Sequence, residues 1–91
     1  MASYSIVLFH SLNQATEKKY NEILKVAIEN SISDLQVDLS NSTDSRLQKY
    51  AKKGPRCPCM IIFKDGHKVT SRHGKYNDAE VINWIKNVIG G

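Results

Sequence analysis

The Asp65-Gly66 dipeptide is the sequence feature that most restricts the fold of this chain. It separates an apolar run at residues 59–63 from a strand-like run at residues 67–72. Asp-Gly between two such runs is a strong signal for a β-hairpin with a two-residue turn. A hairpin joins antiparallel neighbours, so any sheet that this chain builds cannot be wholly parallel.

Four segments have the pattern of β-strands, namely residues 5–10, 35–39, 59–63 and 67–72. The first and third are short, continuous apolar runs, which is typical of strands buried on both faces. The fourth has little apolar content and carries two cations, which is typical of an edge strand. Four separate strand segments exclude a helix bundle.

Three segments have the spacing of helices. The first is predicted from apolar residues three and four positions apart, which are Tyr20, Ile23, Leu24, Ala27 and Ile28. The second begins at Ser42 or Thr43 and ends before the Gly-Pro pair at 54–55, because proline cannot continue a helix. The third begins with the capping-box-like pair Asn77 and Glu80.

The predicted order is therefore β-α-β-α-β-β-α in a single domain covering residues 1–91. Strands that flank a helix in a β-α-β unit are expected to be parallel, and the last two strands to be antiparallel. The fold class is thus α/β (α+β), with a four-stranded mixed sheet flanked by three helices. No apolar run approaches the roughly 20 residues of a membrane helix, and the N-terminus lacks a signal-peptide layout. We therefore expect an intracellular, non-secreted protein without membrane association.

Positive charge is concentrated in the middle of the chain. Residues 46–75 hold nine Lys or Arg and one acid, a net charge of +8, against −3 for residues 1–45 and −1 for residues 76–91. Such a segment favours an anionic partner, although a solvated basic face is the alternative. Aromatic residues lie between the cations, so a nucleic acid is a further alternative, but no named nucleic-acid motif is present.

The segment 57–74 begins with the residues CPCMIIFKDG. It resembles the thioredoxin segment in which a cis-proline opens a strand, followed by Phe-Lys-Asn/Asp-Gly, a return strand and a glycine. Together with the element order, this resemblance to the thioredoxin/glutaredoxin family covers nearly the whole chain. Short thioredoxin-like chains without a dithiol also occur among proteins of large DNA viruses, so the resemblance adds a virion as an alternative location.

One departure from the family concerns its chemistry. Thioredoxins and glutaredoxins carry Cys-x-x-Cys or Cys-x-x-Ser five residues after the last Phe of the first strand. Aligning Phe9 with that Phe places Gln14-Ala15-Thr16-Glu17 at the motif, and no cysteine precedes Cys57. Exchange of the family kind needs sulfurs at that position. The sequence therefore argues against enzyme activity, without settling it.

The resemblance implies that Pro58 is a cis-proline whose loop faces the N-terminus of the first helix and pairs with bound peptide or glutathione. The expected binding residues are Pro58, Arg56, Gln14, Lys52, Lys53 and Lys75. We expect no cofactor, with glutathione as the alternative.

Cys57 is the candidate reactive thiol, and Cys59 is the second sulfur. Cationic neighbours such as Arg56 and Lys53 would favour a thiolate on an exposed Cys57. The alternative is that both are structural core residues. At this spacing an intramolecular disulfide is expected to be strained, whereas an intermolecular one stays open. We expect no metal, because the cysteines and the scattered histidines do not match zinc-ligand spacings.

The preferred interpretation is a redox-inactive thioredoxin-like binding domain that engages a protein or anionic partner through the cis-proline loop and the basic surface. One alternative is a thiol-dependent redox or glutathione-linked protein that uses Cys57. The other is a nucleic-acid-binding protein associated with virions.

Overall fold

The computed structural model describes residues 3–51 and 56–90 and contains four strands and three helices in the predicted order. The strands are β1 (Tyr4–His10), β2 (Gln36–Asn41), β3 (Cys59–Lys64) and β4 (His67–His73). The helices are α1 (Ala15–Ser31), α2 (Ser45–Tyr50) and α3 (Asp78–Gly90). The strands form one mixed sheet in the order β2-β1-β3-β4. The predicted fold class is confirmed.

Strand direction differs from the prediction at one connection. The unit β1-α1-β2 is parallel as expected, but β3 is antiparallel to β1 and therefore also runs opposite to β2. Helix α2 has six residues and is about 9 Å long, so it does not by itself span the sheet from end to end. The chain re-enters at the end where β2 stops, since His10 pairs with Asn41 and Phe9 with Cys59.

The central strand β1 is buried on both faces. Ile6, Val7, Leu8 and Phe9 all have an exposed fraction of 0%. Because successive side chains point to opposite faces, these four residues supply two separate cores. Ile6 and Leu8 belong to the cluster beneath α1 and α3. Val7 and Phe9 belong to the cluster on the α2 face, whose other buried members are Leu47, Cys59, Ile61 and Phe63.

Helix α1 buries a slightly different stripe from the predicted one. Leu24 and Ile28 are fully buried, as expected, but Ile23 is 56% exposed and Asn21 is buried in the position expected for an apolar residue. The prediction for Ile23 was therefore wrong. Asn21, Leu24 and Ile28 recur at i, i+3 and i+7, so they share one face of the helix without Ile23.

The hairpin signal at the β3–β4 turn is confirmed. Asp65 and Gly66 both have positive φ, at 51° and 84°, as a two-residue turn of type I′ requires. The Asp65 N–H donates to the carbonyl of Ser3 at 2.8 Å, and an Asp65 carboxylate oxygen accepts from the Ser3 N–H at 2.8 Å. Strand β4 lies at the sheet edge, as predicted.

Helix α2 begins later than predicted, at Ser45, because Asp44 is its N-cap. One Asp44 carboxylate oxygen accepts from the Arg46 N–H at 2.8 Å, and the other accepts from the Ser40 hydroxyl at 2.7 Å. The Arg46 guanidinium also donates to Asp44 and holds the pKa of this carboxyl well below its usual range. The predicted stop at 54–55 lies outside the described residues.

Replacing Asp44 with Ala is expected to lower the free energy of unfolding by about 1 kcal/mol at neutral pH, because α2 loses its cap. The folded-state pKa of Asp44 is depressed, so its contribution is present at neutral pH. This contribution begins to fall as the pH drops through the ordinary carboxyl range and is lost below the depressed folded-state pKa. Urea denaturation at several pH values measures both effects.

Asp44→Asn is the matched variant, since asparagine also caps helices but carries no charge. Asp44→Asn should lose less stability than Asp44→Ala, and it should remove the part of the pH dependence of stability that comes from residue 44. The exposed loop residue Asp34 provides the control Asp34→Ala. Equal losses in Asp34→Ala and Asp44→Ala would contradict the assignment of Asp44 as a cap.

Candidate functional site

The end of β1, the start of β3 and the first turn of α1 meet at one end of the sheet, as the pairing of Phe9 with Cys59 indicates. The Cys57–Pro58 peptide bond at this end is cis. The carbonyl of Pro58 accepts a hydrogen bond from the Gly74 N–H at 2.8 Å, which joins the loop to the end of β4. Gly74 has a φ of 104°, in the region that favours glycine.

Two free thiols lie on either side of Pro58. Cys57 is half-buried, and Cys59 is 7% exposed and part of the core cluster on the α2 face. Their Sγ atoms are 3.7 Å apart, within contact for a weak S–H···S interaction. The two thiols therefore differ in exposure but touch each other.

The surroundings of these thiols favour the protonated form. Burial raises the pKa of the Cys57 thiol above its ordinary value, and the Glu17 carboxylate raises it further. Hydrogen bonds to Cys59 and to the Ser11 side chain lower this pKa, but by less. Burial is also the main cause that raises the pKa of Cys59, followed by the neighbouring Cys57. An uncharged, weakly nucleophilic pair is the expected state at neutral pH.

Sequence reasoning missed the influence of Glu17. This residue is half-buried in the first turn of α1, and its Oε1 accepts from the Ser11 N–H at 2.7 Å. In the alignment that the sequence resemblance implies, Glu17 falls at the second cysteine of the thioredoxin motif, which is the signal that could have identified it. Cations were expected to favour a thiolate on an exposed Cys57, but this thiol is half-buried. Burial, followed among the raising causes by the Glu17 carboxylate, raises its pKa instead.

The other predicted binding residues are dispersed. Gln14 precedes α1, is exposed, and lines a depression with Leu12 and Lys18. Lys75 is exposed in the connection that follows β4. Lys52 and Lys53 lie outside the described residues.

Arg56 is a predicted residue that lines a groove beside α2. This α2 groove, of about 190 Å³, lies between α2, β3 and β4. Its lining residues are Leu47, Tyr50, Ala51, Arg56, Cys59, Ile61, Lys68, Ser71, Arg72 and His73. The sequence indicated Arg56 and Cys59 as candidate site residues, but it did not predict that they line a groove with residues of α2 and β4.

The floor and the rim of the α2 groove differ in chemistry. Leu47, Cys59 and Ile61 form an apolar floor and are all buried in the core cluster of that face. Arg56 and Lys68 are exposed cations at the rim. Among the residues that the structure describes here, no carboxylate lines the groove.

Tyr50 forms the α2 wall of the groove. The Nζ atoms of Lys49 and Lys68 each lie 5.3 Å from its ring centroid, and its ring packs on Phe63 with centroids 6.3 Å apart. Cations at this distance from an aromatic ring are attracted to it. Lys68 thus reaches across from β4 to α2 and helps to fix the wall.

The guanidinium of Arg72 lies on the opposite face of the sheet. Its guanidinium carbon lies 4.0 Å from the ring centroid of Tyr76 and 5.4 Å from that of Trp84. These aromatic residues are partly buried and pack against the core beneath α1 and α3. The charge of Arg72 is therefore directed away from the α2 groove.

The described residues contain neither a metal-binding group nor a membrane-spanning helix. Within residues 3–51 and 56–90, no three His, Cys, Asp or Glu side chains lie together as a metal-binding group. None of the helices in that part of the chain is both long enough and apolar enough to cross a membrane. The expectation of no metal stays a prediction.

Comparison with known proteins identifies the fold. No protein-family model matches the chain, and no curated protein matches it. Among solved structures, the chain is similar to a mutant thioredoxin from Halobacterium salinarum NRC-1, with a TM-score of 0.66. The match covers 94% of this chain and 74% of that chain at 15% sequence identity. The chain therefore has a thioredoxin-like fold, and at this identity the likeness shows the fold alone.

Replacing Glu17 with Gln should lower the pKa of the Cys57 thiol, because the amide removes the negative charge yet can still accept from the Ser11 N–H. The rate of alkylation of Cys57 near neutral pH should rise, and its pH profile should move towards lower pH. Mass spectrometry of iodoacetamide-treated protein measures this rate.

Glu22→Gln is the matched control, since Glu22 is an exposed acid on the same helix. It should leave the profile of Cys57 unchanged. An unchanged or slower reaction in Glu17→Gln would contradict the assigned effect of the carboxylate.

Proposed function

We propose that this protein is a thioredoxin-like binding domain that captures an acidic segment of a partner protein in the α2 groove, and that it does not catalyse thiol–disulfide exchange of the thioredoxin kind. The observation that carries this proposal is the apolar floor of the groove beneath a cationic rim. The proposal requires no cofactor, and it keeps the intracellular location expected from the sequence.

The size and floor of the groove favour a peptide side chain as the occupant. Its volume of about 190 Å³ is below the roughly 300–1,000 Å³ of typical small-molecule sites. Leu47 and Ile61 offer an apolar surface that one apolar side chain would cover. A partner segment with one apolar residue at its centre fits this floor.

The rim determines the charge of the residues on either side of that apolar side chain. Arg56 and Lys68 would face the neighbouring positions of the partner, so acidic residues there gain favourable interactions. The net charge of +8 over residues 46–75 would also speed the approach of an acidic partner. Exposed pairs of this kind add modest affinity, and the apolar side chain of the partner adds to it by leaving water at the floor.

The thiols support a binding role over catalysis. An exchange catalyst needs an accessible thiolate, but burial and Glu17 raise the pKa of Cys57. No cysteine stands at the N-terminus of α1, where the helix dipole would stabilise a thiolate. The alternative of a thiol-dependent enzyme therefore has less support.

A nucleic acid has less support than an acidic peptide. Tyr50 is the aromatic residue of the groove, but two ammonium groups and Phe63 already contact its ring. A stacked base would have to displace them. Arg72 is engaged by Tyr76 and Trp84 on the other face and does not extend the line of cations.

Binding of a fluorescent peptide with one Leu flanked by Glu residues tests the proposal. Fluorescence anisotropy at low salt should detect binding, and a peptide with Ser in place of Leu should bind more weakly. Lys68→Glu should lower the affinity for the Leu peptide by at least about tenfold, because the attraction between the rim and the Glu residues of the peptide becomes a repulsion.

Lys19→Glu is the matched control, because it makes the same charge change at an exposed position of α1 outside the groove. It should retain most of the affinity. Equal losses in both variants would show unspecific charge attraction and contradict the groove as the site. Binding of a single-stranded oligothymidylate in preference to the peptide would favour the nucleic-acid alternative. Disulfide reduction at the rate of a thioredoxin assayed in parallel would contradict the binding role.

A further inference from the structure

We propose that Cys57 and Cys59 are a redox pair that closes to a reversible intramolecular disulfide when the protein meets an oxidised low-molecular-weight thiol. This inference concerns the two sulfurs at the cis-proline loop and does not depend on the proposed binding function. It also differs from the chemistry of the thioredoxin motif, whose position at the start of α1 has no sulfur in this chain.

The distance between the sulfurs is the first support. The structure places their Sγ atoms 3.7 Å apart in direct contact, and the strain expected of a bond at this spacing stays a prediction. A disulfide bond is about 2.05 Å long. Side-chain rotation of one or both cysteines has to bring the sulfurs closer by roughly 1.7 Å, the difference between these two distances.

The unequal exposure of the two thiols assigns their roles. Cys57 is half-buried and can meet a small disulfide from solvent, whereas Cys59 is buried in the core cluster of the α2 face. The neighbouring Arg56 is exposed and cationic, so it would attract an anionic reagent such as glutathione disulfide. Cys57 is thus the attacking residue, and Cys59 is the resolving residue.

The reaction has two exchange steps. Cys57 loses its proton to solvent, and its sulfur attacks one sulfur of glutathione disulfide. A mixed disulfide forms at Cys57, and one glutathione leaves as a thiolate and takes up a proton. Cys59 then loses its proton and attacks the Cys57 sulfur, which releases the second glutathione. The protein has lost two hydrogen atoms, and one glutathione disulfide has become two glutathione molecules.

The environment sets the rates of the two steps. Because the pKa of Cys57 is raised, the first step is expected to be slow at neutral pH and faster in alkaline buffer. The raised pKa of Cys59 also keeps its thiolate scarce at neutral pH, but the second step gains from proximity, because the attacking sulfur already touches its target. The mixed disulfide should therefore be short-lived.

Intact-mass analysis of the whole protein tests this inference. The native protein is incubated with glutathione disulfide in mildly alkaline buffer, quenched with acid, and treated with N-ethylmaleimide under denaturing conditions. We expect a monomer that is lighter by the mass of two hydrogen atoms, takes up no maleimide and carries no glutathione. Reduction with dithiothreitol should restore two maleimide-reactive thiols.

Two variants separate the roles of the sulfurs. Cys59→Ser should stop at a stable glutathione adduct on Cys57, since the resolving sulfur is missing. Cys57→Ser should remain unmodified while folded, because Cys59 is buried. The wild-type result decides the question even if a variant fails to fold. Accumulation of the glutathione adduct, a disulfide-linked dimer, or two unmodified thiols in the wild-type protein would each overturn the inference.

Discussion

The burial of β1 on both faces is the constraint on which the rest of the structure depends. Its four central side chains are completely enclosed, and they alternate between two cores. A strand of this kind is stable only when both faces of the sheet are covered. Helices α1 and α3 cover one face over much of its area. The short helix α2 covers the other face incompletely, and the α2 groove lies beside it at β4.

The cis-proline end shows how a thioredoxin-like fold can carry a different electrostatic arrangement. In this chain the first turn of α1 contributes the Glu17 carboxylate instead of a thiol, and it is anchored by the Ser11 N–H. The two sulfurs come from the opposite side, on the loop that leads into β3. Negative charge and burial then act together against a thiolate. The scaffold is thioredoxin-like, but the distribution of charge and sulfur at its end is not.

Residues close together in sequence made the candidate site partly predictable. The Cys57-Pro58-Cys59 segment and Arg56 were found because a local motif marks them. Lys68, Tyr50 and Ile61 were not, because they come from β4, α2 and β3 and meet only in the folded sheet. Glu17 raises the pKa of Cys57 from a helix forty residues away in sequence, and only its place in the alignment with the thioredoxin motif could have indicated this effect. The same reason explains the error at Ile23, since only packing decides which side of α1 faces the sheet.

The sequence by itself determined the order of the elements, the hairpin at Asp65-Gly66, the edge character of β4 and the absence of sulfur at the start of α1. These are local properties, set by side-chain periodicity, turn conformation and residue identity. Tertiary structure alone decided the direction of β3, the contact between the two sulfurs and the apolar floor of the α2 groove. The sulfur contact depends on the conformation of the loop around Pro58, which residue identity alone does not set. The direction of β3 and the floor of the groove depend on which distant segments pair across the sheet, and that is fixed by the joint burial of two cores on either side of β1.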